Sequence, residues 1–87
     1  MWFVYILRCA DDSFYVGETG DVDLRLREHN KGSAAAHTAK RRPVQLVYVE
    51  QHESRLHALH RERQPKGWSR PKKKALIAGG LIALKKR

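Results

Sequence analysis

Near its N-terminus the chain carries two short apolar runs, each built around a tyrosine: Phe3-Val4-Tyr5-Ile6-Leu7 and Phe14-Tyr15-Val16-Gly17. Their β-branched and aromatic content reads as strands. Ala10-Asp11-Asp12 between them suits a three-residue hairpin loop, because Asp12 tolerates the left-handed backbone such a loop needs. If Cys9 and Ser13 close the loop, Leu7 faces Tyr15 and Tyr5 faces Gly17. Odd-numbered residues of both strands then share one face, and the two tyrosines become diagonal neighbours. Gly17, lacking a side chain, leaves room over Tyr5 for another group to approach. A hairpin this tight commits the fold to an antiparallel sheet, and the rest of the chain must extend and cover it.

The remaining segments supply that cover. Asp21 is a suitable N-cap, Asp23 favours the first turn, and Gly32 can terminate a helix reaching about Lys31. Arg25 and His29, four apart, project from one face of it. Residues 32–40 read as a loop. Val44 to Val49 is a nearly continuous apolar run, suited to a strand at the sheet centre. A second helix starts at Glu53 or Ser54, buries Leu56 and Leu59, and places Glu62 in line with that apolar stripe. Pro65 and Gly67 stop it. Ser69 can cap a third helix, with Pro71 tolerated in its first turn, Leu76 and Ile77 facing inward and Gly79-Gly80 ending it. The expectation is a single α/β domain of the α+β kind over residues 1–78. It has a three-stranded antiparallel sheet with flanking helices in the order β-β-α-β-α-α, followed by a basic tail over 79–87.

Charge narrows the partner. The 87 residues carry a formal net charge of +9. Residues 1–62 balance nine Lys/Arg against nine Asp/Glu, whereas residues 63–87 hold nine Lys/Arg and no acid. An excess gathered in one terminal segment fits a polyanion such as nucleic acid. A solvated tail that only aids solubility is the plainer alternative. Candidate nucleic-acid contacts are Arg41, Arg42, Lys66, Trp68, Arg70, Lys72, Lys73 and Lys74, with Trp68 a stacking surface for a base. The lone Cys9 allows no internal disulfide and fits a reducing, cytoplasmic home. The longest apolar run, Ala75 to Leu84, is about half the ~20 residues that span a bilayer, so no membrane partner is expected. No Cys/His spacing fits zinc, and His57 and His60 read as surface residues.

The tripeptides Phe3-Val4-Tyr5 and Tyr15-Val16-Gly17, Arg25 ten residues after Tyr15, His29 within Arg27-Glu28-His29-Asn30, and Glu62 follow one another as in a known family. With Arg42-Pro43-Val44, Arg61-Glu62 and Trp68-Ser69-Arg70, the chain resembles the GIY-YIG nuclease domain, specifically its small stand-alone bacterial (UPF0213-like) members. The resemblance covers roughly residues 3–78. It implies hydrolysis of DNA phosphodiesters, including single strands or repair and recombination intermediates, assisted by one Mg²⁺ or Mn²⁺ held by Glu62. One carboxylate suffices for a Mg²⁺ ion that keeps most of its waters. Arg25 would brace the phosphate, and Tyr5 or His29 would position or deprotonate the attacking water, with Tyr15 as a positioning partner. The chain departs from the small-member pattern at Pro65-Lys66-Gly67, where the proline ring meets the carbonyl of Arg61 beside Glu62.

Each of these residues also has a purely structural reading. The tyrosines can be a cross-strand aromatic pair, Arg25 a partner of Asp21 or Glu28, His29 a response to the helix dipole, and Glu62 a partner of Arg55 or Lys66. A non-catalytic nucleic-acid-binding protein on a decayed nuclease scaffold is therefore the competing function. An accessory subunit that docks an enzyme on DNA is a third. Metal-dependent cleavage lost on Glu62→Ala separates the first from the others. Oligomeric state has no signature in the sequence.

Overall fold

A computed structural model of the chain describes residues 1–85. Its elements run β1 (Trp2–Arg8), β2 (Phe14–Thr19), α1 (Val22–Lys31), α2 (Ala36–Ala39), β3 (Gln45–His52), α3 (Arg55–Lys66) and α4 (Arg70–Lys85). The three strands form one antiparallel sheet in the order β2-β1-β3. The hairpin register is the expected one, with Tyr5 opposite Gly17 and Leu7 opposite Tyr15. Cys9 N–H donates to the Ser13 carbonyl at 2.8 Å, and Asp12 adopts φ 72° in the loop.

The two faces of the sheet bury different side chains, following the strand period of two. Val4, Ile6 and Val16 pack with Ala58 of α3 and with Leu76 and Ile77 of α4. Tyr5, Leu7, Cys9 and Val44 pack with Tyr15, Leu26 and Leu46 on the α1 side. Strand β1 is thus the centre, with Val4, Tyr5, Ile6 and Leu7 all buried, and β3 lies at an edge with its residues only half-buried or exposed. The central place expected for Val44–Val49 falls to β1, which hydrogen-bonds to β2 along one edge and to β3 along the other.

The helix boundaries follow from their caps. The Asp21 carboxylate accepts from Leu24 N–H, Gly32 closes α1 at φ 84°, and the Ser54 hydroxyl accepts from His57 N–H. Each such cap satisfies a backbone donor or acceptor that the helix leaves open, worth about 1 kcal/mol. Four details differ from expectation. Pro65 lies buried inside the last turn of α3 and does not stop it; Gly67 caps the helix instead. Leu56 is 62% exposed, and Ala58 is the α3 residue sealed in the core. Residues 32–40 contain the short α2. Finally, α4 continues through Gly79-Gly80 to Lys85, two glycines at about 1 kcal/mol each being too small a cost to break a long helix. The expected tail at 79–87 therefore begins as helix, and its last residues, 86–87, lie outside the described residues. Among the described residues, no helix is long and apolar enough to cross a membrane.

A second polar cluster braces β3 against α3. Arg61 Nε donates to both Glu50 oxygens at 3.1 and 3.0 Å, while Tyr48 Oη (2.5 Å) and His52 Nε2 (2.6 Å) also meet that carboxylate. Burial alone would raise Glu50, but these three partners outweigh it and hold the carboxyl below its usual range.

Candidate active site

The tyrosine face brings three of the five expected residues into direct contact. Tyr5 Oη and His29 Nε2 lie 2.7 Å apart, and His29 Nδ1 is 2.8 Å from Thr38 Oγ1. Thr38 Oγ1 in turn donates to the Ala35 carbonyl at 3.2 Å. Threonine has one hydroxyl proton, so it accepts from His29 Nδ1–H. That fixes the tautomer: His29 Nε2 is the acceptor and the Tyr5 phenol donates to it. The Tyr15 ring lies 6.5 Å from Tyr5 and 5.0 Å from His29 between centroids, the latter edge-on. Tyr5 and His29 are 3% and 1% exposed.

Local sequence explains the fit. His29 is the one buried residue of α1, held two turns from the Asp21 cap with Gly32 turning the chain back toward α2, which delivers Thr38. Gly17 is required by packing. A Cβ there would stand 2.5 Å from Tyr5 Oη and 2.6 Å from Cζ. The space over Tyr5 expected for an incoming group is thus filled by the tyrosine's own ring, which lies across β2. Gly17→Ala is expected to displace that ring, cost about 1–3 kcal/mol and break the Tyr5–His29 contact. Urea denaturation and the His29 ring signals in NMR would report it, and unchanged values in both would contradict the packing argument.

Arg25 and Glu62 complete the neighbourhood through their charges. Burial first, then the Tyr15, Glu62 and Glu18 charges, push the Tyr5 phenol far above its ordinary value, and Arg25 pulls it back. Glu62 rises from α3, which packs on the other face, yet α3 lies against the edge strand β2, the side toward which the Tyr5 ring leans. Its side chain is 12% exposed, with the Lys66 ammonium on its Oε1. Arg25 pairs with Glu28 at 3.5 Å. Both structural pairings foreseen for these residues therefore exist beside the cluster.

Burial, then Arg25, hold the His29 imidazole below its usual range, with Glu28 opposing. The sign for stability follows. Below the unfolded value of about 6.5 the unfolded chain takes up a proton that the folded chain resists. The His29 contribution is complete above that pH and is lost as pH falls toward the lower folded value. A titration of the His29 ring protons by NMR is expected to give a midpoint below 6.5, and a midpoint above it would contradict the buried neutral tautomer.

Among the described residues no three His, Cys, Asp or Glu side chains converge as metal ligands. A lone, largely buried carboxylate is a hard oxygen donor suited to a hydrated Mg²⁺ or Mn²⁺, so Glu62 fits that ion, with Lys66 the cation it would displace.

The expected nucleic-acid contacts are scattered. Arg41 Nε donates to Asp11 Oδ2 and Nη1 to the His37 carbonyl, both at 2.9 Å, while Arg42 Nε donates to the Ala39 carbonyl at 3.0 Å. Both pin the loop around α2. Trp68 already carries Arg61 at 5.5 Å and Lys72 at 4.4 Å from its ring centroid. Arg70 reaches Asp12 at 3.1 Å. Lys73 and Lys74 ride on α4, which docks against β3 and away from the tyrosines. Thr38 and His37 were missing from the expected set. His37 stacks at 6.0 Å from Tyr15 and meets Ser13 Oγ at 3.2 Å, while that hydroxyl donates to Asp11 at 2.6 Å. Neither has a spacing that marks it, because α2 brings both in from a segment of small residues.

Comparison with known proteins gives the family and the fold. A family model described as the GIY-YIG catalytic domain matches residues 1–75. A UPF0213 protein of Haloquadratum walsbyi is 47% identical over 78 residues, spanning 90% of this chain and 88% of that one. A UPF0213 protein of Staphylococcus aureus is 48% identical over 75 residues, spanning 86% and 92%. The solution NMR structure of a UPF0213 protein from Bacillus halodurans shares 40% identity with a TM-score of 0.57, covering 90% of this chain and 84% of that one. Motif spacing, hairpin register and these relatives lead to one assignment: the chain belongs to the GIY-YIG family, alongside its UPF0213-type members.

Proposed function

We propose that the protein is a divalent-metal-dependent endonuclease that hydrolyses DNA phosphodiester bonds, with Tyr5 and His29 as its proton-handling pair. The observation that carries this reading is the buried hydrogen-bonded series Tyr5–His29–Thr38, with the Arg25 and Glu62 charges acting on the Tyr5 phenol. His29, held neutral with its Nε2 lone pair toward the phenol, can take the Tyr5 proton as the phenol oxygen takes one from the attacking water. Thr38 keeps the imidazole in the tautomer this transfer needs. Positioned proton transfer of this kind contributes about 10²–10⁴-fold to a rate. Tyr15 packs against both rings and positions them. The Arg25 guanidinium, near enough to stabilise a phenolate, offers planar donors for the phosphate charge that develops in the transition state. Mg²⁺ or Mn²⁺ on Glu62 would supply charge neutralisation at the phosphate and the leaving oxygen.

Single-stranded, repair or recombination DNA is the substrate class we assign, and the buried free Cys9 fits work in the reducing cytoplasm. The test is incubation of the purified protein with labelled single-stranded and duplex DNA in Mg²⁺, Mn²⁺ or EDTA. Cleavage that EDTA abolishes is expected. Salt-sensitive binding without cleavage in any metal would overturn the enzymatic reading and leave a nucleic-acid-binding scaffold.

A further inference from the structure

On the face of the sheet away from Tyr5 and Tyr15, a cavity of about 310 Å³ opens between the hairpin and α4. That volume is near the lower end for small-ligand sites. Its floor is apolar, formed by Phe14 and Ile77 among others, and its walls carry Arg8, Arg70 and Lys74 against the single acid Asp12. Phe14 and Arg8 are cross-strand partners in the β1–β2 register and therefore lie side by side. The Arg70 guanidinium lies 4.7 Å from the Phe14 ring centroid and is fixed there by Asp12 Oδ2 at 3.1 Å. The acid is thus committed to holding one cation in place. Arg8 is more loosely tied, 3.9 Å from Asp12 and 3.2 Å from Gln45 Oε1, and Lys74 is exposed.

We infer that this cavity binds one nucleotide unit, its base against the apolar floor and the Arg70–Phe14 stack, its phosphate against Arg8 and Lys74. The chemistry is specific in kind. A flat heteroaromatic ring gains from an aromatic side chain and a planar guanidinium together. The phosphate gains from two cations at the rim. A purely apolar ligand would leave those cations without use, and a bare anion would leave the floor without use. The site lies apart from the tyrosine cluster, so it grips nucleic acid and does not react with it. The inference rests on the nucleic-acid reading above, though not on hydrolysis.

The test is a ¹H–¹⁵N titration of the full chain with deoxyadenosine 5′-monophosphate, inorganic phosphate, deoxyadenosine and an oligodeoxyadenylate. The mononucleotide is expected to shift the amides around Phe14, Val47 and Ile77 and to leave those of Tyr5 and His29 unmoved. Phosphate or nucleoside alone should bind at least about tenfold more weakly. Lys74→Ala, an exposed change that leaves the core intact, should weaken the mononucleotide several-fold, and Arg8→Ala likewise. Tighter binding of the oligonucleotide at the same amides identifies the ligand as part of a strand; equal binding identifies a free nucleotide. Either result supports the site. Phosphate shifting the same amides as strongly as the mononucleotide, or shifts confined to the tyrosine face, would overturn it. So would wild-type affinity in Lys74→Ala and Arg8→Ala together. Oligonucleotide shifts on the tyrosine face alone would sink this cavity and leave the nuclease reading standing.

Discussion

Replacing Tyr5 by phenylalanine is expected to slow DNA cleavage about 10²–10⁴-fold, the usual contribution of a positioned acid or base. The ring and its packing over Gly17 stay, and only the hydroxyl that donates to His29 Nε2 is removed. Fold stability should fall as well, by about 1–3 kcal/mol, because Nε2 is left buried without a partner. The two effects separate cleanly. Cleavage per folded molecule, measured well below the denaturation midpoint, reports the chemical role, and urea titration reports the packing role. Full cleavage activity with only the stability loss would reduce Tyr5 to a core residue.

Glu62→Ala is expected to abolish metal-dependent cleavage, by about three orders of magnitude or more. Charge neutralisation by a bound ion is worth several kcal/mol in the transition state, and about 1.4 kcal/mol is tenfold in rate. The fold should survive. Glu62 is partnered by a half-exposed Lys66, which returns to water when the carboxylate is gone, so the stability loss should be about 1 kcal/mol. DNA binding should persist, since the mutation removes a negative charge from a protein of net charge +9. A cleavage defect with an intact fold and intact binding is the signature that distinguishes a metal ligand from a helix-surface ion pair.

Much of this arrangement could be read from short-range chemistry. The hairpin register was fixed by a three-residue loop and a residue able to adopt φ 72°, so Tyr5, Gly17 and Tyr15 were placed before any tertiary information. The caps Asp21 and Gly32 bounded α1 for the same reason. What escaped were decisions taken between elements. The apolar run of β3 resembles a central strand, but the central strand is the one that pairs along both edges, and that is β1, between β2 and β3. Gly17 signalled empty space, yet its Cβ position is taken by the Tyr5 ring. Thr38 carried no pattern at all, because its role is to meet His29 from a four-residue helix without a side-chain cap. Glu62 lies in line with an apolar stripe in the sequence, whereas the reach of its charge to Tyr5 depends on α3 packing against β2 and β1.

The most direct test runs wild type and Glu62→Ala side by side on one labelled DNA, at protein concentrations giving equal occupancy, with Mg²⁺ and with EDTA. The account predicts strand scission only for wild type with metal, while both proteins hold the DNA. Scission by Glu62→Ala at the wild-type rate, or by wild type in EDTA, would contradict it.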